Sequence, residues 1–303
     1  MAKRWRIFKK NKALLLLTIP GVLYLLVMAY LPMGGIVIAF KDYNYVDGIF
    51  GSKWIGLKNF EFLFLSQDAW RITRNTLMMN GLFIVFTTIF AILVALTMNE
   101  IRSRFLNRFI QSTLFLPYLL SWVIVSYLVY AMLTTKGFLN SVLLSLDLAP
   151  VNWYMEPRFW PYILTIAMVW KVTGYNSIIY LASIIGINPE YFEAAKLDGA
   201  NKFQQIRYIT MPFLIPVITI LTLLSIGKIF YADFGLFYSV TRDLGHLYPA
   251  TDVIDTYVFR MLRTVGDVGM ASAAGFYQAV VGFVLVLVFN FIVRKIDKDN
   301  ALF

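Results

Sequence analysis

The sequence contains no cysteine and a single histidine, His246, among its 303 residues. The absence of cysteine excludes disulfides, thiolate metal sites and cysteine nucleophiles. One histidine without neighbouring ligands excludes metal motifs of the HExxH type. Charged residues are also scarce, at 15% against about 25% in soluble domains, whereas 59% of the residues are hydrophobic. Together with a mean hydropathy of +0.70, these proportions indicate an integral membrane protein and predict neither a catalytic nor a metal site.

Six stretches have the length and apolar character that a helix needs to cross about 30 Å of hydrocarbon. The first follows a basic segment, residues 1–12, as a signal peptide would, but its apolar run is too long and no small-residue cleavage site follows. We therefore expect it to be retained as an anchor. The sequence predicts an all-α integral membrane domain over 13–303, with spans at about 13–39, 76–98, 109–133, 160–185, 211–230 and 270–293.

The charges are divided unequally between the segments that join these spans. The two termini and the segments 100–108 and 188–207 contain 15 Lys/Arg and 6 Asp/Glu, whereas the segments 41–74, 136–158 and 228–267 contain 11 of each. Because positive residues mark cytoplasmic loops, both termini are predicted to face the cytoplasm. The net charge of +10 is then a topology signal, and nucleic-acid binding is not needed to explain it.

Three function classes can be compared by what the chain lacks. No GxxxxGK[ST] motif occurs, so any ATP that drives this protein is expected to bind a partner. A stand-alone secondary transporter usually carries acids or histidines inside its spans for ion coupling, and these spans contain none. A membrane enzyme would need a catalytic cluster on one face, and no such cluster is evident. These absences weigh against a secondary transporter and a membrane enzyme, which both remain alternatives.

A polar stretch, INPEYFEAAKLDGANKFQQIRYITMP at 187–212, lies between the fourth and fifth spans on the predicted cytoplasmic side. Asn188 is a candidate N-cap, followed by Pro189 at the first helical position and then by an acid that the helix dipole favours. Gly199 suits the left-handed conformation that ends a helix, and a second helix is predicted from Asn201. The first helix presents aromatic and alanine side chains together, which suits a groove on another protein. A helix lying on the membrane surface is the alternative.

The spacing within this stretch resembles the EAA motif of ABC importer permeases. The matching positions are Glu193-Ala194-Ala195, Gly199, Ile209 and Met211-Pro212, where the family usually has leucine in place of the methionine. The likeness extends over essentially the whole chain and is greatest to the LplB/YteP type of permease, which serves polysaccharide and complex-oligosaccharide importers. The segments that carry it are YLPMGGIVIAFKDYN at 30–44, GSKWIGLKNFEFLF at 51–64, NTL at 75–77, LPYLLSWVIV at 116–125, WKVTGYNSIIYLASIIGINPEYFEAAKLDGAN at 170–201 and DVIDTYVFR at 252–260.

This resemblance implies the type I ABC importer permease fold, with six helices and a coupling helix at about 189–199 that docks into a cytoplasmic ATPase. It further implies a second permease as heterodimer partner, two ATPase subunits and an extracytoplasmic solute-binding lipoprotein. ATP and Mg would bind the ATPase, so this chain is expected to be neither an enzyme nor a cofactor-binding protein. A multi-pass protein of a bacterial cell membrane, in a Gram-positive host, is expected. The residues implied in coupling are Tyr191, Phe192, Glu193, Ala194, Ala195, Asp198 and Gly199.

The resemblance also implies that oligosaccharides or polysaccharide fragments are imported, with a non-sugar solute as the alternative. Sugar sites combine aromatic faces with hydrogen-bonding groups, and transporter sites lie near helix breaks and polar residues inside the membrane. For every candidate of this kind, packing or pairing with a neighbouring helix is the other interpretation. The candidate pathway residues are Trp170, Lys171, Tyr175, Asn176, Lys228, Tyr231, Asp233, Tyr277 and Gln278.

Lys171 is the hardest of these to explain by packing, because a lysine inside a span is costly unless it faces water or a partner. No acid of this chain is expected at matching depth. Lys171 and Lys228 together predict that the solute carries acidic groups, and pairing with the second permease or snorkelling is the alternative. The outer segments 41–74 and 228–267 are predicted to be either a docking surface for the binding protein or solvated loops.

Overall fold

Long apolar helices dominate the computed structural model, which describes residues 11–62 and 66–296. Most of the predicted cytoplasmic N-terminal segment, residues 1–10, and the tail from residue 297 onward lie outside the described residues. The described part forms two units. The first contains residues 11–62 and 261–277, and the second contains residues 66–260 and 278–296.

The first unit begins with the anchor predicted from the sequence. Its helix α1 (Lys12–Leu25) continues through a π-helical turn, the short α2 (Leu31–Met33) and a 3-10 helix (Gly34–Phe40). A two-residue antiparallel pair follows, β1 (Lys41–Asp42) with β2 (Lys53–Trp54), and α3 (Gly48–Gly51) lies between its strands. The small core of this unit consists of Ala39, Phe60 and Ala273, with Phe40 and Phe276 packed against them.

The second unit contains most of the helices, both long and short. They are α4 (Gln67–Asn99), α5 (Arg104–Leu119), α6 (Trp122–Leu133), α7 (Phe138–Ser145), α8 (Trp160–Ile185), α9 (Pro189–Leu197), α10 (Lys202–Gln205), α11 (Met211–Ile226), α12 (Tyr248–Thr251) and α13 (Ile254–Arg260). The final helix, α14 (Val268–Ile296), contributes to both units. Single 3-10 and π-helical turns lie at Lys58–Phe60, Trp153–Met155, Pro157–Phe159, Ile206–Thr210, Leu236–Val240, Gly245–Leu247 and Met261–Val265.

Five helical stretches of the described chain are long and apolar enough to cross a membrane. They are Lys12–Phe40, Gln67–Asn99, Trp122–Ser145, Lys202–Ile226 and Val268–Lys295. Helix α8 coincides with the predicted fourth span, 160–185, but is not one of the five because Lys171 and Asn176 lower its hydropathy. An all-helical membrane protein is thus confirmed, whereas the sixth span stays a prediction.

Two predicted spans differ from the helices of the structure. The span at 109–133 is not one helix, because Leu120 and Ser121 are extended between α5 and α6. The Ser121 hydroxyl accepts the N–H of Ile124 at 3.4 Å, so this serine caps a new helix instead of continuing the old one. The span at 211–230 ends early, since α11 stops at Ile226 and the chain turns there.

The segment 228–267 is not the solvated loop that its charges allowed. Several of its apolar residues are buried in a core cluster of the second unit, together with residues of α4 and α8. Mixed charge along a segment does not reveal which side chains alternate inward, and here Asp and Arg residues pair with one another while the apolar positions pack. The fully buried members from this segment are Leu236, Phe237, Val240, Leu247 and Val253.

Candidate functional site

Helix α9 forms where the sequence predicted a short cytoplasmic helix, and its ends have the predicted chemistry. The Asn188 side chain accepts the N–H of Glu190 at 3.1 Å, and Pro189 occupies the first helical position. Gly199 ends the helix in the left-handed region with φ +77°. Asn201 then begins α10 through a reciprocal capping box with Gln204. These local predictions are confirmed.

The faces of α9 differ in what they contact. The ring of Tyr191 lies 5.4 Å from that of Phe213 in α11, so the aromatic start of the helix packs on the next long helix. Phe192 and Ala195 are half-buried, whereas Glu193 and Ala194 are exposed. Phe192 therefore packs against the chain, Tyr191 is partly covered by Phe213, and a small side chain, Ala194, lies on the exposed face.

A cavity of about 340 Å³ separates α9 from the end of α4. Phe192 and Lys196 line one side of it and Asn99 lines the other. The ammonium of Lys202 binds the Glu100 carboxylate at 2.7 Å across this end of the unit. Both side chains are largely exposed, so the ion pair adds at most about 1 kcal/mol to stability. Its effect is positional, because it links the stretch that carries α9 to the second long helix.

A polar feature of the interior lies at the break between α5 and α6. The last carbonyl groups of a helix that ends inside a membrane lose their partners, and hydrocarbon supplies none. Lys171 of α8, which is buried, donates to the carbonyl oxygens there: Pro117 at 3.2 Å, Tyr118 at 3.0 Å and Leu120. These bonds use all three N–H groups of the ammonium. The positive charge also complements the negative end of the α5 dipole.

Gly174 allows α8 to approach α5 this closely. A Cβ atom at this position would lie 1.8 Å from the Leu114 carbonyl oxygen and 2.3 Å from its carbon. No side chain larger than hydrogen fits without moving one of the two backbones. Gly174 is about one turn from Lys171, so this close crossing brings the ammonium within reach of the break.

Aromatic side chains surround the ammonium of Lys171 and lead to Asp233. The nitrogen lies 5.2 Å from the ring centre of Trp122 and 5.8 Å from that of Tyr118, which stacks on Tyr175 at 4.5 Å. The indole N–H of Trp122 donates to Asp233 at 2.6 Å. The expectation that no acid of this chain lies near Lys171 is therefore wrong, because Asp233 is one indole ring away and interacts with its charge.

Beyond α11 the chain runs as irregular backbone through 227–233, and side chains of three other helices hold it there. Asn80 of α4 donates to the carbonyl oxygen of Ile229 at 2.7 Å, Gln278 of α14 donates to that of Phe230 at 2.6 Å, and Asp255 of α13 accepts the N–H of Ala232 at 2.8 Å. Burial raises the pKa of Asp255, and the hydrogen bonds from Ala232 and Gln278 oppose that rise.

Most of the predicted pathway residues lie at these two irregular segments. Lys171, Tyr175 and Asp233 lie at the break, Lys228 and Tyr231 belong to 227–233, and Gln278 holds it. Trp170, which is exposed, and Asn176, which is half-buried, are on α8, and Tyr277 belongs to the first unit. Sequence reasoning missed Asn80, Tyr118, Trp122 and Asp255. A possible signal for two of them was the Pro-Tyr-Leu-Leu-Ser-Trp run, whose serine can cap a helix.

Residues 87–298, which include α9, Lys171 and the segment 227–233, match the family of binding-protein-dependent transport system inner membrane components. The chain belongs to this family. The resemblance predicted from the sequence is thereby confirmed.

The relatives of this permease are similar to it over nearly their full length. It is 34% identical to protein LplB of Bacillus subtilis, over 96% of this chain and 92% of LplB. It is 33% identical to the polygalacturonan/rhamnogalacturonan transport system permease protein YteP of the same organism, over 98% of this chain and 94% of YteP. A crystal structure of a bacterial ABC transporter involved in the import of the acidic polysaccharide alginate contains a chain of the same fold, with a TM-score of 0.86. The two chains are 34% identical, and the match covers 97% of this chain and 99% of that chain.

Lys171→Met tests the role of the buried lysine in this permease. We expect uptake of acidic and neutral oligosaccharides to fall alike, by about tenfold or more, because each buried carbonyl left unpaired costs about 1–3 kcal/mol. Uptake of both solute types by the complete importer in proteoliposomes measures this. Lys136→Met, which removes an exposed lysine after α6, is the matched control. Loss confined to acidic solutes would instead make Lys171 a ligand of the solute, as the sequence predicted.

Proposed function

We propose that this permease is the membrane-spanning translocation subunit of an ATP-driven importer of oligosaccharides or polysaccharide fragments. It would receive the solute from an extracytoplasmic binding protein and release it into the cytoplasm. Family membership supports the transport role. The transport functions of YteP and of the alginate importer, at 33% and 34% identity over nearly the whole chain, support a carbohydrate substrate.

The observation that carries the coupling role is the construction of α9 and its connection to the pathway residues. The helix has a defined cap at each end, an exposed Ala194 on its outward face and a short route through α10 into α11. Helix α11 leads directly to 227–233, which contains Lys228 and Tyr231. A movement imposed on α9 by an ATPase would therefore reach the irregular segment along one continuous stretch of chain.

The proposed assembly follows from this role. A second, similar permease completes the heterodimer, two ATPase subunits bind ATP and Mg on the cytoplasmic side, and a lipoprotein presents the solute outside. The chain itself has no enzymatic activity and binds no cofactor in this proposal. Six spans with both termini in the cytoplasm agree with the distribution of positive charge, and a Gram-positive bacterial host is part of the proposal.

The solute is proposed to carry carboxylates. The alginate importer of the same fold is described as acting on an acidic polysaccharide. The three N–H groups of Lys171 are occupied by carbonyl oxygens, so this lysine is not proposed to bind the carboxylates of such a solute.

The permease alone is expected to transport nothing. Reconstituted without the second permease and the ATPase, it should show no solute-dependent uptake and no ATP hydrolysis, because it has no nucleotide site of the P-loop type. The complete set should show ATP-dependent uptake in proteoliposomes, and the same set with an inactivated ATPase is the control. Uptake by the lone chain would instead support a secondary transporter.

A further inference from the structure

A groove between α6 and the segment that follows 227–233 combines the exposed guanidinium of Arg242 with the exposed ring of Tyr127. It encloses about 290 Å³ and is lined by Ser126, Tyr127, Tyr238, Ser239 and Arg242, among others. This volume is near the lower limit of small-molecule sites, which begin at about 300 Å³. We propose that the groove is a subsite for a uronic acid residue of the solute, with Arg242 binding its carboxylate. The substrate class in this inference rests on the proposed function.

The contacts of Arg242 are those expected of an arginine that is available to bind an anion. Its guanidinium lies over the ring of Tyr130, 4.4 Å from the centre. Stacking uses the face of the guanidinium, whereas a carboxylate binds to its N–H edge, so the two contacts are compatible. The side chain is exposed. None of the ion pairs found in residues 11–62 and 66–296 includes it.

The backbone that presents Arg242 is strained. Arg242 and Asp243 have φ values of 59° and 49°, in the left-handed region that residues other than glycine rarely adopt. Such conformations persist where the surroundings enforce them, and they concentrate at binding sites. Here Asp243 provides the enforcement, because its carboxylate accepts the Tyr248 hydroxyl at 3.0 Å and pairs with Arg260 at 3.0 Å.

The contacts of Asp243 also explain why this neighbouring carboxylate does not neutralise Arg242. A carboxylate next in sequence to Arg242 could neutralise it, but the carboxylate of Asp243 is already paired with Arg260. The positive charge of Arg242 is therefore left for a ligand. By contrast, the N–H groups of Lys171 are occupied at the break, which makes Arg242 the better candidate for direct recognition of a solute carboxylate.

Tyr127 supplies the second part of a sugar site. Its side chain is 67% exposed, and an exposed ring can pack against the apolar face of a pyranose. The hydroxyl of Ser126 donates to the carbonyl oxygen of Val123 at 2.7 Å and keeps lone pairs for solute hydroxyls. Trp122, with its hydrogen bond to Asp233, lies one turn away on the same helix. The groove therefore adjoins the proposed pathway.

Binding measurements on the complex of both permeases with the ATPase test the subsite. One probe is a fluorescently labelled alginate pentasaccharide, and the other is its carboxyl-reduced, neutral counterpart, each followed by anisotropy without ATP. Arg242→Gln should weaken binding of the acidic probe about tenfold and change the neutral one by less than about twofold. Arg158→Gln removes an exposed arginine paired with Glu156 outside the groove and should change neither.

Two further measurements test the contributions of the Tyr127 ring and of charge to binding in the groove. Tyr127→Ala should weaken both probes alike, and Tyr127→Phe should weaken neither, because stacking is independent of solute charge. Added salt should weaken binding of the acidic probe less in Arg242→Gln than in the unaltered complex, since a charge contact is screened.

Several outcomes would overturn the subsite. They are equal weakening of both probes by Arg242→Gln, no effect of this change, or an unaltered complex that binds the acidic probe no better than the neutral one. Because these measurements use no ATP, normal binding without ATP-dependent uptake would count against the proposed function alone.

Discussion

Gly199→Val is expected to leave the permease in the membrane and to abolish solute uptake. Gly199 has φ +77°, and no atom within 4 Å would obstruct a Cβ there. The penalty is therefore conformational: a β-branched residue in the left-handed region costs about 1–3 kcal/mol, which the exposed turn can avoid by changing its path. The direction of α9 relative to α10 would change, and the ATPase would meet a displaced helix. Uptake by the complete importer and co-purification of the ATPase measure the effect.

Two variants show whether strain at this turn is the cause. Gly266→Val introduces the same strain at φ +75°, also without obstruction, but in a turn of the first unit that does not adjoin α9 in sequence. It should preserve ATPase association. Gly199→Asn should restore much of the uptake, because asparagine tolerates the left-handed region better than valine does. Normal uptake by Gly199→Val would mean that the turn does not position a coupling helix.

Ala194→Trp tests the outward face of the same helix. Ala194 is exposed, so the larger side chain should not disturb the permease itself but should prevent α9 from entering a groove of the ATPase. We expect assembled permease heterodimer without bound ATPase, as judged by co-purification. Retained ATPase and uptake would support a helix that lies on the membrane surface.

Gly174→Ala is the second change with a large expected effect, and it acts on assembly. The added methyl group would lie 1.8 Å from the carbonyl oxygen of Leu114, and because the obstacle is backbone, no rotamer change relieves the overlap. Helices α8 and α5 must separate, and Lys171 then loses its carbonyl acceptors at the break. Overpacking of this kind costs about 1–3 kcal/mol or more. Yield from membranes and the melting temperature of the purified complex should both fall.

Gly81→Ala is the matched control for this change. Gly81 also lies inside a long helix of the second unit, α4, but a Cβ atom there meets nothing within 4 Å. Alanine is the better helix former by about 0.5–1 kcal/mol, so this variant should be as stable as the unaltered permease. Equal melting temperatures for the two variants would show that α8 and α5 do not need the close crossing.

The local structure of the polar stretch 187–212 was predictable almost residue by residue. Helix ends depend on residues that are close in sequence, here the Asn188 cap, Pro189 at the first helical position and the left-handed Gly199. The local sequence is therefore enough to predict them. The spans were predictable as apolar lengths, but less well as helices. The sequence did not reveal that Ser121 would cap a new helix, because a serine in an apolar run can equally bond to its own helix.

The contacts of the proposed pathway residues join distant parts of the chain, so the sequence alone did not reveal them. Lys171 was recognisable as an anomaly, yet its acceptors lie more than fifty positions away, and the Trp122–Asp233 bond joins residues separated by 111 positions. The burial of Leu236 and Val253, in a segment of mixed charge, likewise depends on contacts with distant helices. Hydropathy predicts that a residue avoids water, but not whether lipid or another helix covers it.

By itself, the sequence determined the membrane class, the family and the local structure of α9, because composition and capping are properties of neighbouring residues. Only the tertiary structure decided what Lys171 binds, where the third span breaks and how 227–233 is held. The physical reason is that buried polar groups must find partners, and in this chain those partners come from other helices. Which helices meet depends on close contacts such as the one at Gly174, and an apolar pattern does not encode them.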